Sequence, residues 1–182
     1  QRLTAVNEVR TLKPNSLLLD GGDVFTGTLY FNEFTGKPDV EFMNMMGYNA
    51  MTFGNHEFDL GSSPEGHKAL AEFVEKANFS MLAGNIDFSG DPLFKDLIEG
   101  KDAKIKPYII EEVNGEKYGI FGLTTPDTAG ISSPGEVKFA EDYIAEAKKI
   151  VAELEAQGIN RIIAVTHIGN EAIEGTANDQ AL

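Results

Sequence analysis

Ala50-Met51-Thr52-Phe53-Gly54-Asn55-His56-Glu57-Phe58-Asp59 decides the reading of this chain. A short apolar run reads as a buried strand, a glycine ends it, and metal-capable side chains follow at once. Two other runs end the same way. Leu17-Leu18-Leu19-Asp20 runs into Gly21-Gly22-Asp23, and Ile162-Ile163-Ala164-Val165-Thr166 runs into His167. Each strand-like segment delivers such a side chain just past its end, and in parallel α/β sheets that edge is where ligands and catalysts gather.

Around these stretches the elements alternate. Leu3, Val6, Val9 and Leu12 mark an amphipathic helix over 2–13, stopped by Pro14. Strand 17–20 follows, apolar on successive residues as strands covered on both faces are. A loop over 24–37 leads to a helix over 39–46, opened by Pro38-Asp39 and closed by Gly47. After strand 49–53 comes a helix over 64–77 with Leu70, Phe73, Val74 and Ala77 on one face. Strand 80–84 leads to Asn85, and residues 89–106 read as a charged surface excursion. Tyr108–Val113 and Glu116–Leu123 flank Asn114-Gly115, a strong hairpin signal. A glycine-rich loop runs to about residue 139. A helix over 140–157 turns Ile144, Ala147, Val151 and Leu154 inward, strand 161–166 ends at His167, and 168–182 is a polar tail. The alternation specifies an α/β fold with a mixed sheet or two sheets face to face, and helices outside. Neither a repeat nor an interdomain linker interrupts it.

Composition narrows the function classes. The 182 residues suit one domain or a large part of one, and 42% hydrophobic content is globular. A net charge of −14 repels polyanions, which argues against a docked nucleic-acid duplex but not against a small phosphate ester held through cations. The absence of cysteine excludes disulfides, thiolate zinc sites and cysteine nucleophiles. No apolar run approaches the roughly 18 residues of a membrane span, and no signal-peptide pattern stands at Gln1.

Asp23, Asn55 and His167 together supply a carboxylate, an amide oxygen and an imidazole, a set suited to a divalent cation. Zinc, manganese and iron fit it alike. A carboxylate such as Asp23 can also bridge two cations, and a pair of cations can activate water and hold a phosphoryl group for in-line attack. His56 follows Asn55 directly, and Asp59 can orient and charge its imidazole. Taken singly, Asp23 and Asn55 read as turn residues, Asn85 as a cap or turn, and His67 as a solvated helix-face residue. Met43, Met45 and Met46 read as core filler. The joint placement, not any one residue, carries the reading.

Gly22-Asp23-Val24-Phe25-Thr26-Gly27, Gly54-Asn55-His56-Glu57-Phe58-Asp59 and Thr166-His167-Ile168-Gly169 resemble the calcineurin-like metallophosphoesterases. Asn85-Ile86 and Gly122-Leu123-Thr124-Thr125-Pro126 look like their 5′-nucleotidase and 2′,3′-cyclic-nucleotide phosphodiesterase branch. The resemblance implies a four-layer α/β/β/α sandwich, with Asp23 bridging two divalent ions, Asn55 and His167 on the second ion, and His56 with Asp59 as the catalytic pair. It implies metal-dependent hydrolysis of nucleotide phosphoesters outside the cytoplasm, in an extracellular, cell-wall or periplasmic setting. Other implied options are the same scaffold on a sugar phosphate or thiosulfonate ester, and a non-catalytic module.

The family also opens on a strand bearing Asp-x-His and closes on Gly-His-x-His/Gln, and neither pattern is found here. Residues 1–182 are therefore expected to be a partial catalytic domain, lacking the first strand and the C-terminal part, and inactive or nearly so alone. At most one ion is expected in this chain, against two in the parent. An uncovered sheet edge beside strand 17–20 is expected to favour association.

Overall fold

A computed structural model describes residues 1–171 and 177–182. The chain begins with α1 (Arg2–Leu12), β1 (Leu19–Asp20), α2 (Leu29–Phe34), α3 (Lys37–Met46) and β2 (Ala50–Thr52). It continues through α4 (Lys68–Lys76), β3 (Ser80–Leu82), β4 (Ile86–Asp87), α5 (Lys95–Ile98), β5 (Ile105–Lys106), β6 (Tyr108–Val113) and β7 (Glu116–Thr124). It closes with α6 (Thr128–Ile131), β8 (Lys138–Phe139), α7 (Tyr143–Ala156) and β9 (Arg161–His167).

Two sheets form the frame. The first is parallel, in the order β1-β2-β3-β5; the second is mixed, in the order β6-β7-β9. Asn114 and Gly115, both at positive φ (54° and 79°), make the tight turn that joins β6 to β7. Strand β9 then adds parallel to β7, pairing Thr124 with His167 at its end. A small antiparallel pair, β4 with β8, lies apart from both sheets.

Three apolar clusters define the layers. A phenylalanine-rich cluster with Phe25, Phe53, Phe58 and Phe73 joins the first sheet to α3 and α4. A second gathers Phe121 and Leu123 of β7 against Ala147, Ile150 and Leu154 of α7. A narrow seam of Ala50, Leu82, Ile120 and Val165 lies between the sheets. The arrangement is the expected α/β/β/α sandwich. Gly122 sets the spacing: a Cβ there would sit 2.5 Å from Leu82 Cβ and 2.6 Å from Thr52 Oγ1. Each fully buried phenylalanine contributes about 1.5–3 kcal/mol over leaving it in water, so the first cluster dominates the core.

Several expectations need correction. The loop over 24–37 contains α2, whose first turn is capped by the Thr28 hydroxyl accepting from Phe31 N–H at 3.1 Å. The helix expected from Pro64 begins only at Lys68, because a 3₁₀ segment over His56–Ser62 takes up the preceding chain. The excursion over 89–106 is tied into the fold: Phe94 is buried and β5 completes the parallel sheet. Helix α7 starts at Tyr143, with Asp142 as its N-cap; Tyr143 and Ile150 are buried where Ile144 and Val151 are only partly so. Met43 and Met46 are core residues, but Met45 is exposed. The tail retains buried Ile168 and Asn178 and a 3₁₀ turn at Asp179–Ala181, while 172–176 lie outside the described residues.

His67 is the largest misreading. It is 3% exposed, packs edge-on against Phe58, and has a polar partner for each ring nitrogen. Nδ1 lies 2.8 Å from Asp91 Oδ2, and Nε2 lies 3.1 Å from the carbonyl oxygen of Ser133. These two contacts fasten the loop after α6 to the α4 region.

Candidate metal centre and catalytic pair

Parallel pairing of β1 with β2 sets their C-terminal ends side by side, Asp20 opposite Met51. The loops that follow therefore leave the sheet together. Their backbones touch: a Cβ on Gly22 would lie 2.4 Å from Gly54 N, and one on Gly54 would lie 2.2 Å from Asp23 Oδ1. Gly22 also sits at φ 92°, which a side chain would strain. Asp23 itself adopts φ 63°, a left-handed conformation that Asp tolerates better than most residues. The turn aims its carboxylate at the second loop, where Oδ1 accepts the His56 N–H at 3.0 Å.

His167 arrives from the other sheet, as the last residue of β9. Its Nδ1 lies 2.7 Å from the carbonyl oxygen of Gly21. A carbonyl can only accept, so Nδ1 donates there and Nε2 is the ring nitrogen left to face the other two loops. Nε2 lies 3.2 Å from Asp23 Oδ2 and 3.2 Å from Asn55 Oδ1. A carboxylate oxygen, an amide oxygen and an imidazole nitrogen from three strand ends thus meet. Carboxylate, amide oxygen and neutral imidazole nitrogen together suit a divalent cation. Among the described residues no group of three His, Asp or Glu side chains converges; here the amide of Asn55 completes the set.

His56 and Asp59 are joined as expected. Nδ1 of the exposed imidazole lies 2.5 Å from Asp59 Oδ2. The bond to Asp59 raises the His56 pKa above the ordinary imidazole value, against a smaller opposing effect of burial. The other Asp59 oxygen accepts the Ser132 hydroxyl at 2.7 Å. Ser132 precedes the carbonyl that holds His67, so the buried His67–Asp91 pair fixes the backbone that carries it. Nothing in the sequence marks Ser132, which reaches Asp59 across 73 positions.

Two more residues shape the site without a clear signal in the sequence. Glu57 is fully buried and accepts backbone N–H groups from both oxygen-donor loops; burial pushes its carboxyl pKa up, with those N–H groups acting against it. Asn85, read as a cap or turn, instead clamps β7: its amide accepts from Thr124 N at 2.9 Å and donates to Thr124 O at 2.7 Å. Thr124 in turn donates its hydroxyl to Phe53 O at 2.5 Å. The end of β7, which carries His167 beside it, is thereby tied to the end of β2, which carries Asn55.

No family model matches the chain. The chain is 42% identical over 190 residues to the trifunctional nucleotide phosphoesterase protein YfkN of Bacillus subtilis, covering 93% of this chain and 13% of that one. It is 38% identical over 169 residues to a snake venom 5′-nucleotidase of Gloydius brevicauda, covering 93% and 27%. The solved 5′-nucleotidase precursor of Thermus thermophilus superposes with a TM-score of 0.80 at 42% identity, over 91% of this chain and 30% of that one. The chain thus spans less than a third of each of these relatives.

Proposed function

We propose, from the premise that this chain belongs to the calcineurin-like metallophosphoesterases in their 5′-nucleotidase branch, that it carries part of the catalytic centre of a nucleotide phosphoesterase. The observation that carries the reading is the convergence of Asp23, Asn55 and His167 on one point. These three residues would hold a divalent cation. Such an ion, when bound, polarises a phosphoryl oxygen and lowers the pKa of coordinated water.

The chain's own residues do the rest. The Asp23 carboxylate is oriented through Oδ1 by the His56 N–H, leaving Oδ2 for the cation. Gly21 fixes the tautomer of His167. Asp59 holds His56 by Nδ1 and favours its charged form, so Nε2–H can donate to a phosphoryl or leaving-group oxygen as negative charge builds there. Ser132 steadies Asp59 from its far oxygen. The substrate class is nucleotide 5′-monophosphates or 2′,3′-cyclic nucleotides, the action one outside the cytoplasm, and the intact protein works with two ions, at most one of them at Asp23, Asn55 and His167. Among the described residues no helix is long and apolar enough to cross a membrane.

Calorimetric titration of residues 1–182 with manganese or zinc tests this reading. One ion should bind, and Asp23→Ala or His167→Ala should abolish it. Two tight sites refute the single-ion assignment; no binding favours a non-catalytic module. In the full-length protein, His56→Ala should lose manganese-dependent release of phosphate from nucleotides by about 10²–10⁴-fold, with metal content unchanged.

A further inference from the structure

We infer that Glu57 is the positioning residue that locks the two oxygen-donor loops of the cation site into one rigid unit. The inference rests on the reading above but concerns a side chain that neither faces the cation nor touches a substrate. Oε2 accepts the N–H of Asp23 at 2.9 Å and of Gly54 at 2.6 Å. Oε1 accepts the N–H of Val24 at 2.7 Å and of Phe25 at 3.1 Å. One carboxylate thus gathers four backbone donors, three from the loop after β1 and one from the loop after β2.

The surroundings make the role specific. Glu57 is 0% exposed, and among the described residues no cation pairs with it. A buried carboxylate without a cation is costly, and charge-assisted bonds from N–H groups offset that cost. The same bonds satisfy donors that no strand ladder reaches, because β1 ends at Asp20. They also hold a loop that would not keep its shape unaided. Asp23 is left-handed at φ 63°, and Thr26 is left-handed at φ 65°, an uncommon state for a β-branched residue. Glu57 thereby sets the direction of the Asp23 carboxylate and its distance from Asn55. Positioning groups behind metal ligands typically change affinity by about 10–100-fold when altered.

The test compares Glu57→Gln with the unaltered chain. Glutamine keeps the size but turns an NH₂ group toward two N–H donors, so half the clamp becomes repulsive. Manganese affinity should fall by about 10–100-fold while circular dichroism keeps the native profile. Glu57→Asp, one methylene short, should not restore it. Leu154→Ala, placed in the distant α7 cluster, should lower thermal stability and leave manganese affinity unchanged. Equal affinity in Glu57→Gln and the unaltered chain overturns the inference, as does an equal loss in Leu154→Ala. If the unaltered chain binds no manganese, the cation reading fails first. Amide hydrogen exchange then judges the clamp alone: the N–H groups of residues 23, 24, 25 and 54 should exchange slowly, and exchange at open-loop rates overturns it. That measurement also stands if Glu57→Gln does not fold.

Discussion

The two halves of the sandwich contribute to the site in different ways. The first sheet is built of strands of two or three residues, held in place by a thick layer of phenylalanine and helices. Its ligand candidates, Asp23 and Asn55, sit on loops beyond the ladder, and side-chain-to-backbone bonds from Glu57 pin those loops. The second sheet is built of strands of six, nine and seven residues. Its candidate, His167, sits within the ladder and needs only the Gly21 carbonyl to turn it. Oxygen donors are therefore placed by specific buried contacts, and the nitrogen donor by regular backbone pairing. The first kind of placement fails sharply when one contact is lost; the second degrades gradually.

Gly54→Ala presses hardest on that contrast. The added methyl meets Asp23 N at 2.6 Å, so backbone and not a flexible side chain must give way. Overpacking of this kind costs about 1–3 kcal/mol, and cation binding should disappear altogether in a calorimetric titration. Retention of native affinity would show that the two loops are not interlocked.

Asn85→Ala probes the tie between the halves. It strands the N–H and C=O of Thr124 in a buried setting, at about 1–3 kcal/mol for a buried group left unpaired. Urea unfolding should show the loss. Manganese affinity should fall as well, because the end of β7 locates His167 relative to Asn55. A loss of stability with unaltered affinity would mean that the halves hold their relative position without this bond.

The smallest expected effect concerns His56 and Asp59. The His56 pKa is raised above the unfolded value of 6.5, chiefly by its hydrogen bond to Asp59. A raised value means the pair's stabilising contribution is complete below the unfolded pKa and is lost as pH climbs through the folded one. In the metal-free chain, proton NMR should follow the His56 ring titrating above the ordinary imidazole range, and Asp59→Asn should bring it down. The imidazole is about half exposed, so solvent screening keeps the stability change small. An unchanged titration in Asp59→Asn would detach the two residues functionally.

Much of this design is local and could be read from residue order. Apolar runs that end at Gly-Gly-Asp, Gly-Asn-His and Thr-His locate the strand ends and the chemistry there, because strand burial and turn preference depend on near neighbours. Asn114-Gly115 specifies its hairpin for the same reason. Burial across the chain is another matter. His67 has the composition of an exposed helix face, yet packing from Phe58, Phe94 and the loop at Ser133 encloses it. Glu57 lies between an exposed histidine and a buried phenylalanine, and three of its four backbone donors come from a loop more than 30 positions away.

What the order of residues determined by itself was the layered α/β fold, the identity of the five candidate groups and the strand ends near which they lie. Tertiary structure alone decided which buried polar groups hold them in place: Glu57, Asn85, Ser132 and the His67–Asp91 pair. The reason is physical. A side chain's chemical class is fixed by covalent structure, whereas its hydrogen-bond partners depend on which distant backbone comes within about 3 Å once the core has packed.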